Sequence, residues 1–300
     1  MSSKAIAARA LPAWAQALPL TIVFAVFFIV PLLLTAMVSF WNYNEYEIIP
    51  DFTARNYVEA FEGCASRLFS ASPELCTTLK TYVTTLRISV TVWLVTLMLG
   101  FAIAYFLAFH VRSLTMQIVL FLICTIPFWT SNVIRMISWI PLLGRNGLIN
   151  QTLVEARIIN EPLEWLLFSD FAVILAFVHL YTLFMIVPVF NSMMRIDRSL
   201  LEAAYDAGAS GWQTLVNIVI PLTKPGIVIG SIFVLTIVMG DFVTIGVMGG
   251  QQIASVGKMI NTHMGALQFP PAAAHAVILL VTVLMIIWGL TRLVDVRKEL

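Results

Sequence analysis

The sequence predicts an all-α integral membrane protein with six transmembrane helices, and three observations carry that expectation. Of its 300 residues, 60% are hydrophobic and 11% are charged, against about 25% charged and about 45–50% apolar in a soluble domain. A chain this long cannot hide so much apolar surface in one water-surrounded core, which excludes soluble-enzyme, nucleic-acid-binding and disordered readings. The charges also stand far apart, leaving uncharged runs at 10–44, 88–111, 113–134, 171–194, 225–240, 242–257 and 259–291. About 20 apolar residues cross a bilayer core of about 30 Å. The alternation of a barrel strand is absent, and backbone groups in lipid need internal partners, so the spans are read as helices.

The first span is placed at 17–40. Lys4 and Arg9 precede an apolar run longer than a signal-peptide core, and no clear A-x-A site follows before Trp41 and Asn42, so it reads as a retained anchor. Trp41, Tyr43 and Tyr46 fit an interfacial aromatic belt. Segment 41–81 is a long outer loop that holds Cys64 and Cys76, where oxidising conditions permit a bridge; two free thiols are the alternative. Spans two and three are placed at 82–109 and 115–139, with Arg87 near the start of the former and Arg135 and Trp139 near the outer end of the latter. Outer segment 142–169 carries the turn Gly144-Arg145-Asn146-Gly147, then helical periodicity from Leu148 to Arg157. Span four covers 171–194, span five 226–248 interrupted only by Asp241, and span six 274–293, after a segment that opens Gly249-Gly250 and ends Pro270-Pro271. Gly226 and Gly230 form a small-xxx-small pair suited to close helix crossing.

With six spans the termini share a side. The short segments there carry nine basic residues (Lys4, Arg9, Arg112, Arg195, Arg198, Lys224, Arg292, Arg297, Lys298) and five acids (Asp197, Glu202, Asp206, Asp295, Glu299). Glu45, Glu74 and most other acids fall on the opposite side. Basic residues concentrate in cytoplasmic loops, so both ends are expected inside. The domain plan is a cytoplasmic segment 1–16, the first helix 17–40, the outer loop 41–81, a five-helix core 82–294 and a tail 295–300.

The connector 195–225 is long for a link between helices. Asp197 or Ser199 can cap a helix that carries Glu202, Ala203, Ala204, Asp206 and Ala207, and Gly208 is a natural stop. A second short helix is expected from Trp212 to Ile220, ended by Pro221 and Pro225. Such a pair is either a solvated loop or a docking element.

Asp241 is the lone acid in an otherwise apolar span. It is read as lining a path for a cation, or as a structural partner of Arg87 or Arg135, or as wet near the outer interface. His110, His179, His263 and His275 are dispersed, without metal-ligand spacing. No phosphate-binding G-x-x-x-x-G-K-[ST], H-E-x-x-H or G-x-S-x-G occurs, so neither a catalytic nor a metal site is expected on this chain. No internal repeat is evident, which weighs against a secondary transporter.

Glu202-Ala203-Ala204, Gly208, Ile218 and Pro221 stand in the register of E-A-A-x3-G-x9-I-x-L-P, with Ile220 where the pattern has Leu. In this the chain resembles the permease subunits of binding-protein-dependent ABC importers. Phe52-Thr53, Asn56-Tyr57 and Phe61 resemble an outer-loop motif of such permeases. Arg135, Trp139, Leu142-Leu143-Gly144, Gly147, Asn150, the run Pro221–Ile227 and Met248-Gly249-Gly250 resemble the spermidine/putrescine group.

The resemblance implies a type I importer permease of the MetI-like fold in a bacterial inner membrane. A second permease subunit would complete the pathway, a solute-binding protein would deliver cargo, and a cytoplasmic ATPase dimer would hold ATP and Mg. This chain itself would hold no cofactor. Glu202, Ala203, Ala204, Asp206, Gly208, Ile218 and Pro221 would couple to the ATPase, and Asp241, Arg135 and Trp139 are the pathway candidates. A polyamine is the first expectation for cargo. Permeases for opines, aminophosphonates, amino acids and ferric iron share parts of the pattern.

Overall fold

The computed structural model describes residues 13–44, 47–62, 64 and 75–292. Lys4, Arg9, Glu45, Tyr46, Glu74, Asp295, Arg297, Lys298 and Glu299 lie outside the described residues, as do the 295–300 tail and most of 1–16. The chain opens with helix α1 (Gln16–Val38), the two-residue strands β1 (Asn42–Tyr43) and β2 (Ile48–Ile49), which pair antiparallel, and the short α2 (Arg55–Ala60). There follow α3 (Thr77–His110), α4 (Leu114–Trp129), α5 (Asn132–Ile137), α6 (Ile140–Leu143), α7 (Leu148–Glu155) and α8 (Asp170–Met193). The last third holds α9 (Arg198–Asp206), α10 (Gly211–Gly240), α11 (Val243–Met248), α12 (Val256–Gly265) and α13 (Phe269–Arg292). Among the described residues five helices are long and apolar enough to span a membrane, and the pair α4 with 132–155 makes a sixth.

Helices α3, α8 and α10 pack on one another to form the core, with α13 beside α10 and α12, and α1 leaning on α13 with an almost wholly exposed surface. Lipid offers no hydrophobic drive for helices to associate, so contact depends on small residues that let backbones approach. Here Gly226 of α10 meets the Pro188 carbonyl and Ser192 of α8, Gly230 meets Met185, and Gly100 of α3 meets the same Met185. A methyl group at Gly226 would overlap that carbonyl. The interior hydroxyls of Thr85, Thr96, Thr223 and Ser231 bond to carbonyls one turn back on their own helices. Ser231 also accepts from Trp93 Nε1 at 2.7 Å, tying α10 to α3.

The outer-loop motif works as a clasp. Buried Asn56 donates to the carbonyls of Ser39 (2.9 Å) and Trp41 (2.8 Å), and the Tyr57 hydroxyl meets Ser39 Oγ at 2.7 Å. Phe40 stacks on Phe52. Cys64 and Cys76 are joined as a disulfide with their Cα atoms 4.9 Å apart. Asn150 closes the 142–163 loop through Gly144 O and both backbone groups of Leu163. The helix expected to reach Arg157 stops at Glu155, and Arg157 adopts a positive φ of 55°.

Three expectations change. The third span is not one helix over 115–139: α4 ends in a 3-10 turn, Thr130 and Ser131 are extended, and the chain restarts at Asn132 bent by 91°. Pro127 removes a donor from that turn, and Ser131 takes the N-cap position of α5. Span five does not run to 248, because α10 stops at Gly240 with Asp241 as its extended C-cap and α11 begins anew at Val243. Finally, Pro221 and Pro225 do not end a helix. The chain is helical from Gly211 to Gly240, and a π-helical turn at Leu215–Val219 precedes Pro221, shifting the register where its missing N–H would otherwise leave a gap.

Candidate functional site: a polar centre and a bare connector

Both breaks point to the same place. Tyr181 is the twelfth residue of the 24-residue α8, about 16 Å from its start at 1.5 Å per residue. Its hydroxyl donates to Asp241 Oδ2 at 2.6 Å. Asp241, half-buried one residue past the end of α10, is thereby tied to α8. The carboxylate also accepts from Thr244 Oγ1 (2.6 Å) and from the Thr244 N–H through Oδ1 (2.9 Å), so it closes the end of α10 and starts α11. Gly257 of α12 rests on this break, where a methyl group would sit 2.8 Å from the Gly240 carbonyl. On its other side Gly240 is exposed, with open space where a side chain would be.

Arg135 and Trp139 approach the same stretch of α8 from the other break. Arg135 is 8% exposed and donates through Nη2 to Asn132 Oδ1, while its Nε is buried and has no hydrogen-bond partner among the described residues. It stands within electrostatic reach of Tyr181 and His179. Trp139 Nε1 donates to His179 Nδ1 at 3.0 Å, which assigns the imidazole proton to Nε2. Arg87, the eleventh residue of α3, takes no part, since it pairs with Asp170 at the start of α8. Arg87 as partner of Asp241 is thus corrected: a hydroxyl, not a guanidinium, meets the carboxylate.

The structure thus gathers Asp241, Arg135 and Trp139 around one level of α8 and adds Tyr181, His179 and Thr244, which sequence reading missed. Tyr181 and His179 sit inside an unbroken apolar run, and no local pattern singles them out. Irregular backbone at membrane depth is tolerated where it is buried in protein or lines a water-filled cavity, and broken helices frame transporter sites for that reason.

The connector is the second site. Asp197 caps α9 by accepting the Ser199 N–H at 3.0 Å, and that bond holds its carboxyl below the usual range. At the other end Gly208 N–H donates to Tyr205 O and Ala209 N–H to Ala204 O, both at 2.9 Å, with Gly208 at φ 82°. That is the paired closure a left-handed residue provides. Ser210 and Gln213 then form a reciprocal capping box at the start of α10. None of α9 is buried. Glu202, Ala203, Asp206, Gly208 and Pro221 are exposed, Ala204 and Ile218 are half-buried, and Tyr205 and Trp212 are 56% and 72% exposed. Behind the connector, between α8 and α10, opens a cavity of about 890 Å³.

No family model matches the chain. It is 34% identical over 208 residues, 68% of this chain and 74% of the relative, to the spermidine/putrescine transport system permease protein PotB of Escherichia coli K12. The Salmonella typhimurium SL1344 PotB is 35% identical over 203 residues, covering 66% of this chain and 70% of that one. The inner membrane ABC transporter permease protein YdcU of Escherichia coli K12 is 28% identical over 222 residues, 70% of each chain. A bacterial ABC transporter that imports the acidic polysaccharide alginate has the same fold, with TM-score 0.72 over 93% of each chain at 18% identity. On these similarities the chain belongs to the family of ABC importer permease subunits that includes the spermidine/putrescine transport permeases.

Proposed function

We propose that this permease carries a polyamine across the bacterial inner membrane, with both of its ends cytoplasmic. Two copies of an ATPase holding ATP and Mg drive it, a second permease subunit completes the pathway, and an external solute-binding protein delivers the cargo. The exposed, doubly capped α9 is the observation that carries the coupling reading. A nine-residue helix with no buried residue, carrying the exposed Tyr205 and followed by the exposed Trp212, is built to meet another surface. In this reading Glu202, Ala203, Ala204, Asp206, Gly208, Ile218 and Pro221 form the ATPase contact. Movement of α9 passes to α10 as a rigid-body shift between inward- and outward-open states.

The cargo reading draws on the PotB relatives and on Asp241, an acidic residue at the break between α10 and α11, next to the exposed Gly240. Asp241, Arg135 and Trp139 are proposed to line the pathway. The test is ATP-dependent uptake of labelled spermidine into liposomes holding this chain, its companion permease and the ATPase, with the binding protein outside. Saturable, ATP-dependent uptake is expected. Uptake that proceeds without the ATPase contradicts the importer reading, and a binding protein that takes an opine or amino acid but no polyamine contradicts the cargo. Asp241→Asn is expected to lose uptake while the complex still assembles; loss of assembly instead assigns Asp241 a structural role.

A further inference from the structure

Two helix faces run side by side from Asp241 to the cavity behind the connector. On α8 the residues at three- and four-residue spacing are Tyr181, Phe184, Pro188, Asn191 and, just beyond its end, Arg195, which share one face by helical geometry. On α10 the corresponding series is Pro225, Ile229, Phe233, Ile237 and Asp241. At one end the two faces are joined by the Tyr181–Asp241 hydrogen bond. At the other, Pro188, Asn191, Arg195, Pro225, Ile229 and Phe233 border the cavity of about 890 Å³.

Between these ends stands Phe184. Its ring centroid lies 6.0 Å from that of Tyr181 and 6.2 Å from that of Phe233, and Phe128 of α4 meets it edge-on at 5.7 Å. Phe233 is 48% exposed and Phe184 half-buried. Aromatic faces attract cations, and more strongly where water is thin. An ammonium group leaving the Asp241 carboxylate would next meet these rings. Charged groups enter the strip at its ends, with Asp241 and Arg135 at one and Arg195 and Asp197 at the other.

We propose that Tyr181, Phe184 and Phe233 form a cation-selective aromatic step between Asp241 and the cavity, with Phe184 as its specificity-determining residue. The step takes aliphatic ammonium groups in turn and excludes neutral and anionic solutes of similar length. It rests on the polyamine reading above and adds the residues that select for it.

The experiment is uptake of labelled spermidine by the complete transporter in liposomes, with Phe184 replaced by Tyr, Trp, Leu and Met. Co-purification of the ATPase reports assembly for each variant, and spermidine binding to the solute-binding protein serves as an unaffected control. The expected result follows aromaticity, not volume: Tyr and Trp keep uptake within about threefold of wild type and Leu and Met lose about tenfold, the scale of a cation–π contact worth about 1–2 kcal/mol. Phe233→Leu, on the exposed face, is expected to lose uptake with assembly intact and serves if Phe184 variants do not assemble. Unimpaired uptake in Phe184→Leu and Phe233→Leu, or equal losses in Trp and Leu variants, overturns the step while leaving the polyamine reading in place. A wild-type complex that imports another solute and no polyamine overturns both together.

Discussion

The connector and the α8–α10 crossing are built on the same two helices and on opposite physics. At the crossing, Gly226 is needed because there is no room: the Pro188 carbonyl occupies the place of a side chain. In the connector, Gly208 has nothing within 4 Å and is needed because its φ of 82° closes α9. One region is held by burial and the other mainly by hydrogen-bonded caps, with Leu201 its contact to the core. A helix that sets only Leu201 against the core gains little from the fold around it, and its sequence answers to whatever it meets. The contrast separates residues whose loss unfolds the subunit from residues whose loss uncouples it.

The most severe test of that division is Gly226→Leu. Overpacking an ordinary core site costs about 1–3 kcal/mol, and here the obstacle is backbone. Loss of the folded subunit from membranes is expected by quantitative immunoblot, and a normal yield breaks the account of the crossing. Gly208→Asp comes next. A side chain in the left-handed region costs about 1–2 kcal/mol at a residue that touches nothing, so membrane yield should hold while ATP-driven uptake collapses. An equal fall in yield would show that the connector is structural after all.

Smaller effects sharpen the comparison at the polar centre. Tyr181→Phe removes a hydrogen bond to a charged carboxylate, worth about 1.5–3 kcal/mol when buried. A lower thermal midpoint of the purified complex is expected, and an unchanged midpoint would mean that Thr244 alone holds Asp241. The mildest is Ser210→Ala, which removes half of the capping box at about 0.5–2 kcal/mol and should fray the first turn of α10, seen as faster amide exchange at 211–214.

Acid should loosen α9 in the same local way. The carboxyl of Asp197 is held below its ordinary value by the Ser199 N–H. Its cap is therefore complete above the unfolded value of about 3.9 and is lost as pH falls through the lower folded value. Amide exchange in α9 should accelerate only in that acid window, and Asp197→Asn should remove the dependence.

Legibility in the sequence follows the same division. The connector is local: cap, helix, glycine and capping box lie within about twenty residues, so spacing alone placed α9 and its stop. The spans were legible by hydropathy, since lipid imposes it. The breaks were not, because a hydropathy count passes over Pro127 and over a carboxylate whose partner is sixty residues away. Tyr181 and His179 look like filler in an apolar run until α5 and α11 are folded against α8. Asn56, Gly147 and Asn150, noticed first as marks of resemblance, prove to hold loops closed.

The connector is the proposed point where ATP hydrolysis meets transport. The direct measurement is the amount of ATPase subunit retained when the wild-type permease and its Glu202→Lys variant are purified from membranes in equal yield. Retention by the wild type and loss by Glu202→Lys, with uptake lost in parallel, is the predicted result. Equal retention with undiminished ATP-driven uptake would contradict it.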